Sequence, residues 1–168
     1  MEAPQVAVIA HNIRSTHNIG SIFRTADGFG VEHLYLTGYS PYPLVEQDTR
    51  LPHIAQKMTD EISKTALGAE KSVPFSFVHN PLTVIDGFKA HGYAIIGLEQ
   101  SESATPLPDF KAPHKLVLIL GEEVSGITSD LLKKCTELIE IPMVGHKESY
   151  NVSVAAGIAL YGIRYNNL

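Results

Sequence analysis

The residues best equipped for chemistry fall in three stretches that mix polar side chains with glycine. The first is Asn18-Ile-Gly-Ser-Ile-Phe-Arg24. Gly20 falls in the first turn of an expected helix, where a missing side chain lets another group approach the backbone. The free N–H groups of a helix N-terminus lie nearby. Arg24 is four residues on and shares that face, which adjoins the apolar one, so a partly buried or interfacial guanidinium is expected. A capped amphipathic helix with a surface arginine is the plain alternative. The second stretch is Leu120-Gly-Glu-Glu-Val-Ser-Gly126. Glycine directly after a buried strand, then two acids and another glycine, makes a tight exposed turn. One of the adjacent carboxylates is expected to face a site and the other solvent. A carboxylate there holds a cationic partner or orients a hydroxyl, or simply decorates a polar turn.

The third stretch, residues 141–161, is the most informative. In Ile141-Pro-Met-Val-Gly-His-Lys-Glu-Ser-Tyr-Asn151, Pro142 stops a strand, Gly145 permits a turn, and Ser149 and Asn151 are cap-competent. The helix that follows carries Val152, Ala155, Ala156, Ala159 and Leu160 over much of its circumference, with Gly157 allowing close packing. Such a helix calls for burial on more than one side. A well-capped core helix would account for this, but not for so polar a loop ahead of it. Other patterns are missing. The eight histidines do not pair at metal-ligand spacing, so no metal site is expected. The dinucleotide and P-loop glycine motifs are absent. His11, His17, His53 and His146 fall in expected loops, as surface residues or phosphate contacts. Lys57, Lys64 and Lys71 recur every seven residues and read as a solvated face interrupted by Gly68.

The elements that must hold these residues alternate. Strands are expected at residues 5–10, 33–37, 75–79, 93–98, 115–120 and 137–141. Helices are expected at 18–29, capped by Asn18 and stopped by Gly30, within 54–67, from Pro81 to about Gly92 behind an Asn80 cap, at 130–135, and at 152–165. Residues 38–52 and 101–113 read as loops. This is the pattern of an α/β domain with a mostly parallel sheet and helices on both faces. Ligands then bind beyond the carboxyl ends of the strands, where the loops at 97–101, 121–126 and 142–151 converge.

The chain has 168 residues, 44% hydrophobic and 18% charged, which suits a single globular domain over 1–168. No apolar run approaches membrane-spanning length, and the N-terminus lacks a signal pattern. Cys135 is the lone cysteine, in keeping with a reducing cytoplasm. The formal net charge of −5 is unusual for a nucleic-acid binder, so any RNA affinity must come from a local patch.

The three stretches together resemble the SpoU/TrmH family of RNA 2′-O-methyltransferases, within the SPOUT superfamily. The first is similar to the family's N-x-G-x-x-x-R-x-A-x-x-F-G, here Asn18, Gly20, Arg24, Ala26, Phe29 and Gly30. The second is similar to L-x-x-G-x-E-x-x-G, with Glu123 as the matching acid. The third is similar to I-P-M-x-G-x-x-x-S-L-N-V-S-V-A, with Tyr150 where leucine is usual. The resemblance covers nearly the whole chain. It implies a C-terminal trefoil knot, S-adenosylmethionine as cofactor, tRNA or rRNA as substrate, and a homodimer with no metal and no membrane association. It further implies a cofactor pocket of Leu98, Gly121, Ile141, Met143, Ser149 and Tyr150. The catalytic set it implies is Arg24, reaching the partner subunit's cofactor, with Asn18, Glu123, Ser149 and Asn151. Many relatives carry an additional RNA-binding domain, which is not expected here. Two other readings follow from the residues: a noncatalytic RNA-binding or assembly module that keeps the fold, and a flavodoxin-like small-ligand protein.

Overall fold

The computed structural model describes residues 3–166. Its strands are β1 (Gln5–His11), β2 (His33–Thr37), β3 (Phe75–Val78), β4 (Ala94–Leu98), β5 (Thr105–Pro106), β6 (Lys115–Leu120) and β7 (Glu137–Glu140). The helices are α1 (Thr16–Gly28), α2 (Pro52–Ala66), α3 (Ala69–Ser72), α4 (Pro81–Ala90), α5 (Ser129–Leu132) and α6 (Val152–Tyr165). The strands form one seven-stranded sheet in the order β3-β2-β1-β6-β4-β7-β5, and every pairing is parallel.

Both sheet faces are covered, which is why the central strands are apolar without alternation. Val6, Val8, Leu34, Leu36, Leu116 and Leu118 pack with α1, α2 and α6 on one face. Ala7, Ile9, Ile95, Val117 and Ile119 pack under α4 and α5 on the other. Neighbouring residues along β1 and β6 therefore belong to opposite cores. No helix among the described residues is long and apolar enough to cross a membrane.

Several expectations change. The N-cap of α1 is Ser15, not Asn18: Ser15 Oγ accepts the backbone N–H of Asn18 at 3.2 Å. Three cap-competent residues precede Ile19, and the cap falls on the one that leaves Asn18 inside the first turn, its amide free for a longer-range partner. Residues 101–113 are not all loop. They contain β5, which pairs with β7 at the sheet edge, and a 3-10 turn, Leu107–Asp109. Helix α2 ends at Leu67 and Gly68, both with positive φ (52° and 99°), and α3 follows at once.

Gly20 has a packing role rather than a ligand-binding one. A Cβ there would collide with Thr65 Oγ1 and the Ile62 carbonyl of α2. Thr65 Oγ1 also donates to the His17 carbonyl at 2.8 Å. The missing side chain lets α2 approach α1 closely. That contact fixes the first turn of α1, and with it Asn18.

Candidate active site

Three loops meet beyond the carboxyl ends of β4, β6 and β7, and between them lies an open cleft. Its apolar wall is built from Leu98, Leu120, Ile141, Val152 and Ala155, and its rim carries the carboxylates Glu99, Glu122, Glu123 and Glu140. Gly121, Ser149 and Tyr150 complete the lining. Five of the six expected pocket residues thus face the cleft. Met143 is half-buried and does not line it. Gly121 is a requirement of the turn: a Cβ would sit 2.5 Å from the Ile127 nitrogen. Gly126 has φ 70°, and a side chain there would collide with Glu99.

Three of the five residues expected to be catalytic join directly. Asn151 Nδ2 donates to Asn18 Oδ1 at 3.2 Å, and Asn18 Nδ2 donates to Glu123 Oε1 at 3.1 Å. The amide of Asn18 is thereby used at both ends, oriented by residues 105 and 133 positions away. Asn151 also caps α6, its Oδ1 accepting from Ser153 N at 2.9 Å, so the same residue starts the helix and enters the network. Ser149 is exposed on the cleft wall and makes no hydrogen bond with the described residues. Arg24 is exposed too, without an ion pair or hydrogen bond among the described residues. Its expected partial burial is absent within the single chain. The face between Arg24 and the core is filled by Phe23, Ala26 and Ile22, leaving the guanidinium outside.

The two neighbouring acids do not divide between site and solvent, because both line the cleft. They divide by partner. Glu123 holds Asn18, while Glu122 Oε1 pairs with Arg14 Nη2 at 3.0 Å. The Ser125 hydroxyl, then the Tyr39 hydroxyl and the Arg14 guanidinium, hold the Glu122 carboxyl below the usual carboxylate range. Arg14, beside Tyr39 and Glu122, is raised above its ordinary value.

Glu99 was missed by sequence reasoning. Its Oε2 accepts the Ile127 N–H at 2.7 Å, tying the loop after β4 to the end of the turn after β6. A single acid at a strand end carries no spacing pattern; its only signal was its place in a loop expected to converge on the site. His11 was misplaced. It is the last residue of β1, 8% exposed, with Nδ1 2.9 Å from Thr37 Oγ1, and burial lowers its pKa. His17, His53 and His146 are exposed. Lys57 and Lys64 are exposed on α2 and Lys71 on α3, with the helix break at Leu67 and Gly68 between them.

Residues 5–161 match the SpoU rRNA Methylase family. The chain belongs to that family. Over 162 residues it is 34% identical to a protein of Staphylococcus haemolyticus named for the TrmH family of tRNA/rRNA methyltransferases, covering 96% of this chain and 59% of the relative. A Staphylococcus saprophyticus protein of the same name is 32% identical over 156 residues, covering 93% and 57%. The chain thus spans less than two thirds of these relatives. Among solved structures, the A. aeolicus TrmH/SpoU tRNA modifying enzyme superposes with a TM-score of 0.79 at 27% identity, covering 99% of this chain and 78% of that one. The methyltransferase AviRb of Streptomyces viridochromogenes, solved with AdoMet, gives 0.78 at 25%, covering 97% and 58%. The AdoMet-bound rRNA methyltransferase of Sinorhizobium meliloti gives 0.80 at 23%, covering 99% and 58%, a likeness of fold. These structures share the fold of this chain, which is of the SPOUT type.

Proposed function

We propose that this chain transfers a methyl group from S-adenosylmethionine to a ribose 2′-hydroxyl of tRNA or rRNA, acting as a homodimer with the knotted C-terminal path of its family. The observation that carries the reading is the Asn151–Asn18–Glu123 network, which meets the cleft rim through Glu123. All three residues match family motifs.

The cleft suits the cofactor in chemistry: it offers an apolar wall for a base and carboxylates for cationic groups. Leu98, Gly121, Ile141, Ser149 and Tyr150 would hold it. When bound, the cofactor supplies an electrophilic methyl on a positively charged sulfur. The chain's own task is to present the hydroxyl. A guanidinium does not readily give up its proton, so Arg24 orients the hydroxyl and the adjacent phosphate by charge and hydrogen bonding rather than acting as the base. Ser149, unengaged on the wall, is available to the ribose. Glu123 and Asn151 keep Asn18 aligned.

Arg24 serves the partner's site in this reading. It projects from α1 beside an apolar groove of Thr25, Gly28, Phe29, Gly157, Ile158 and Tyr161. Val154, Tyr161 and Tyr165 are 49%, 59% and 48% exposed along α6. Large apolar groups clustered on one helix mark an association surface, and a two-fold axis there would bring α1 and α6 of both copies together.

The test is transfer of a tritiated methyl group to total tRNA and to rRNA, followed by nucleoside analysis. A 2′-O-methylated nucleoside is the expected product; a base-methylated nucleoside would remove the ribose assignment. Calorimetry with S-adenosylmethionine separates the noncatalytic alternative, which requires no binding.

A further inference from the structure

Beside the Asn18–Glu123 pair, Glu122 joins the cleft rim to a second assembly just outside it, Arg14 and Tyr39, that methyl transfer as described does not use. Arg14, in the loop after β1, is 73% exposed along its side chain and pairs with Glu122. Its guanidinium carbon lies 6.0 Å from the centre of the Tyr39 ring, and Tyr39 is itself 52% exposed.

The backbone under both groups is rigid. Asn12 has φ 58° and Gly38 φ 66°. Asn12 Oδ1 accepts the Tyr39 N–H at 3.2 Å, and Asn12 N donates to the Thr37 carbonyl at 3.1 Å. A Cβ on Gly38 would collide with Asn12 Oδ1. Ser40 anchors the other side, donating to the Ala10 carbonyl at 2.9 Å and accepting from Ile13 N at 2.9 Å. An aromatic ring and a cation are thus displayed to solvent from a fixed frame, at a cleft otherwise rimmed by carboxylates, in a chain of net charge −5.

We infer that Arg14 and Tyr39 are an RNA-positioning pair. The guanidinium takes a phosphate flanking the target ribose, and the ring stacks on a neighbouring unpaired base. Glu122 is the positioning residue that holds both. This rests on the RNA methyltransferase reading and states how the RNA is aligned there. An arginine has five donors, and the Glu122 contact is made through Nη2, so donors remain for a phosphate. A ring and a guanidinium side by side match single-stranded RNA, whose unstacked bases need a flat apolar partner and whose backbone needs a cation. The pair also answers a difficulty of charge. Without Arg14, Glu122 would stand bare at the entrance and repel the substrate backbone.

The experiment is fluorescence anisotropy of labelled, unfractionated tRNA and fragmented rRNA across a salt series, with calorimetry of S-adenosylmethionine on the same proteins. Arg14→Ala is expected to weaken RNA binding by about tenfold and to flatten the log–log salt slope by roughly 0.7–0.9, the loss of one phosphate contact. Arg14→Ala/Glu122→Gln is expected to recover part of that affinity. Tyr39→Leu is expected to cost about tenfold with the slope unchanged, since stacking is not ionic, and Tyr39→Phe, which keeps the ring and gives up only the hydroxyl contact with Glu122, to cost about twofold. Cofactor affinity should stay within about twofold in the single variants of Arg14 and Tyr39, which excludes misfolding as the cause. Wild-type affinity and slope in both Arg14→Ala and Tyr39→Leu would overturn the pair, and would leave the enzymatic reading standing if wild type transfers methyl groups. An Arg14-dependent slope in a wild type that methylates no RNA would keep the pair and overturn the enzyme. Absence of RNA binding by wild type at any salt would overturn both.

Discussion

Asn18 has one amide and two partners, and the direction of its hydrogen bonds fixes how Glu123 and Asn151 are held. Glu123→Gln keeps the shape but replaces an acceptor-only carboxylate by an amide whose NH2 end can turn toward Asn18. It is expected to lower kcat by about tenfold or more with little change in cofactor affinity, read by methyl transfer alongside calorimetry. Arg24→Ala removes a group without an ion pair or hydrogen bond among the described residues. Its folding stability should therefore match wild type while kcat falls by roughly 10²–10³, the scale of a lost electrostatic contact in a transition state; full activity would remove Arg24 from the mechanism. His11 sets a pH dependence. Burial lowers its pKa from the ordinary 6.5, so the folded state binds the proton less readily than the unfolded chain. Stability is complete above about pH 6.5 and declines as pH falls toward the depressed folded value. The half-buried His33, lowered for the same reason, adds to the slope. His11→Gln is expected to flatten urea-derived stability between about pH 7 and 5. Asp48, gripped by Arg50 and held far below its ordinary value, extends the loss to lower pH.

At the scale of elements, two close contacts decide how α1 is held. Gly20→Ala would ordinarily favour a helix by about 1 kcal/mol, but here the added Cβ meets the α2 backbone. The expected net result is a loss of about 1–3 kcal/mol, measured by denaturant unfolding, because overpacking outweighs propensity. At the other end of α1, Arg164 of α6 donates Nε to the Phe29 carbonyl at 2.8 Å and Nη2 to the Gly30 carbonyl at 2.7 Å, with a further bond to the Pro4 carbonyl. It satisfies carbonyls that the helix leaves open and lies where a cation suits the helix C-terminus. The main strands and the helices α1, α2, α4 and α6 were legible through apolar periodicity, with cap residues in agreement at α4 and α6. The edge strand β5 was not: two residues, one of them proline, carry no periodicity, and its pairing depends on β7 arriving beside it. The cleft was legible through its turns, since Gly121, Gly126 and Pro142 announce where strands end. Glu99, Arg14 and Tyr39 were not, because their partners lie 25 or more positions away and nothing local marks such pairings.

For the whole molecule, the proposed exchange of Arg24 between subunits has a direct test. Ala155 lines the cleft, so Ala155→Phe should block it. Co-expressing Arg24→Ala with Ala155→Phe gives mixed dimers in which one cleft is open and is served by an intact arginine from the other chain. Activity of about a quarter of wild type is expected from random assortment of a two-fold dimer; no activity would mean that Arg24 acts within its own chain. The all-parallel sheet has a kinetic consequence as well. Asn18 meets Asn151 across 133 residues, and the cleft needs the last strand and last helix before it has walls. Such distant contacts form late and slowly. During synthesis, the N-terminal portion that carries Arg24 and Asn18 would leave the ribosome well before the segment that completes the cleft. Under the proposed function, a copy not yet made through α6 lacks the walls of the cleft and could not act on the RNA around it.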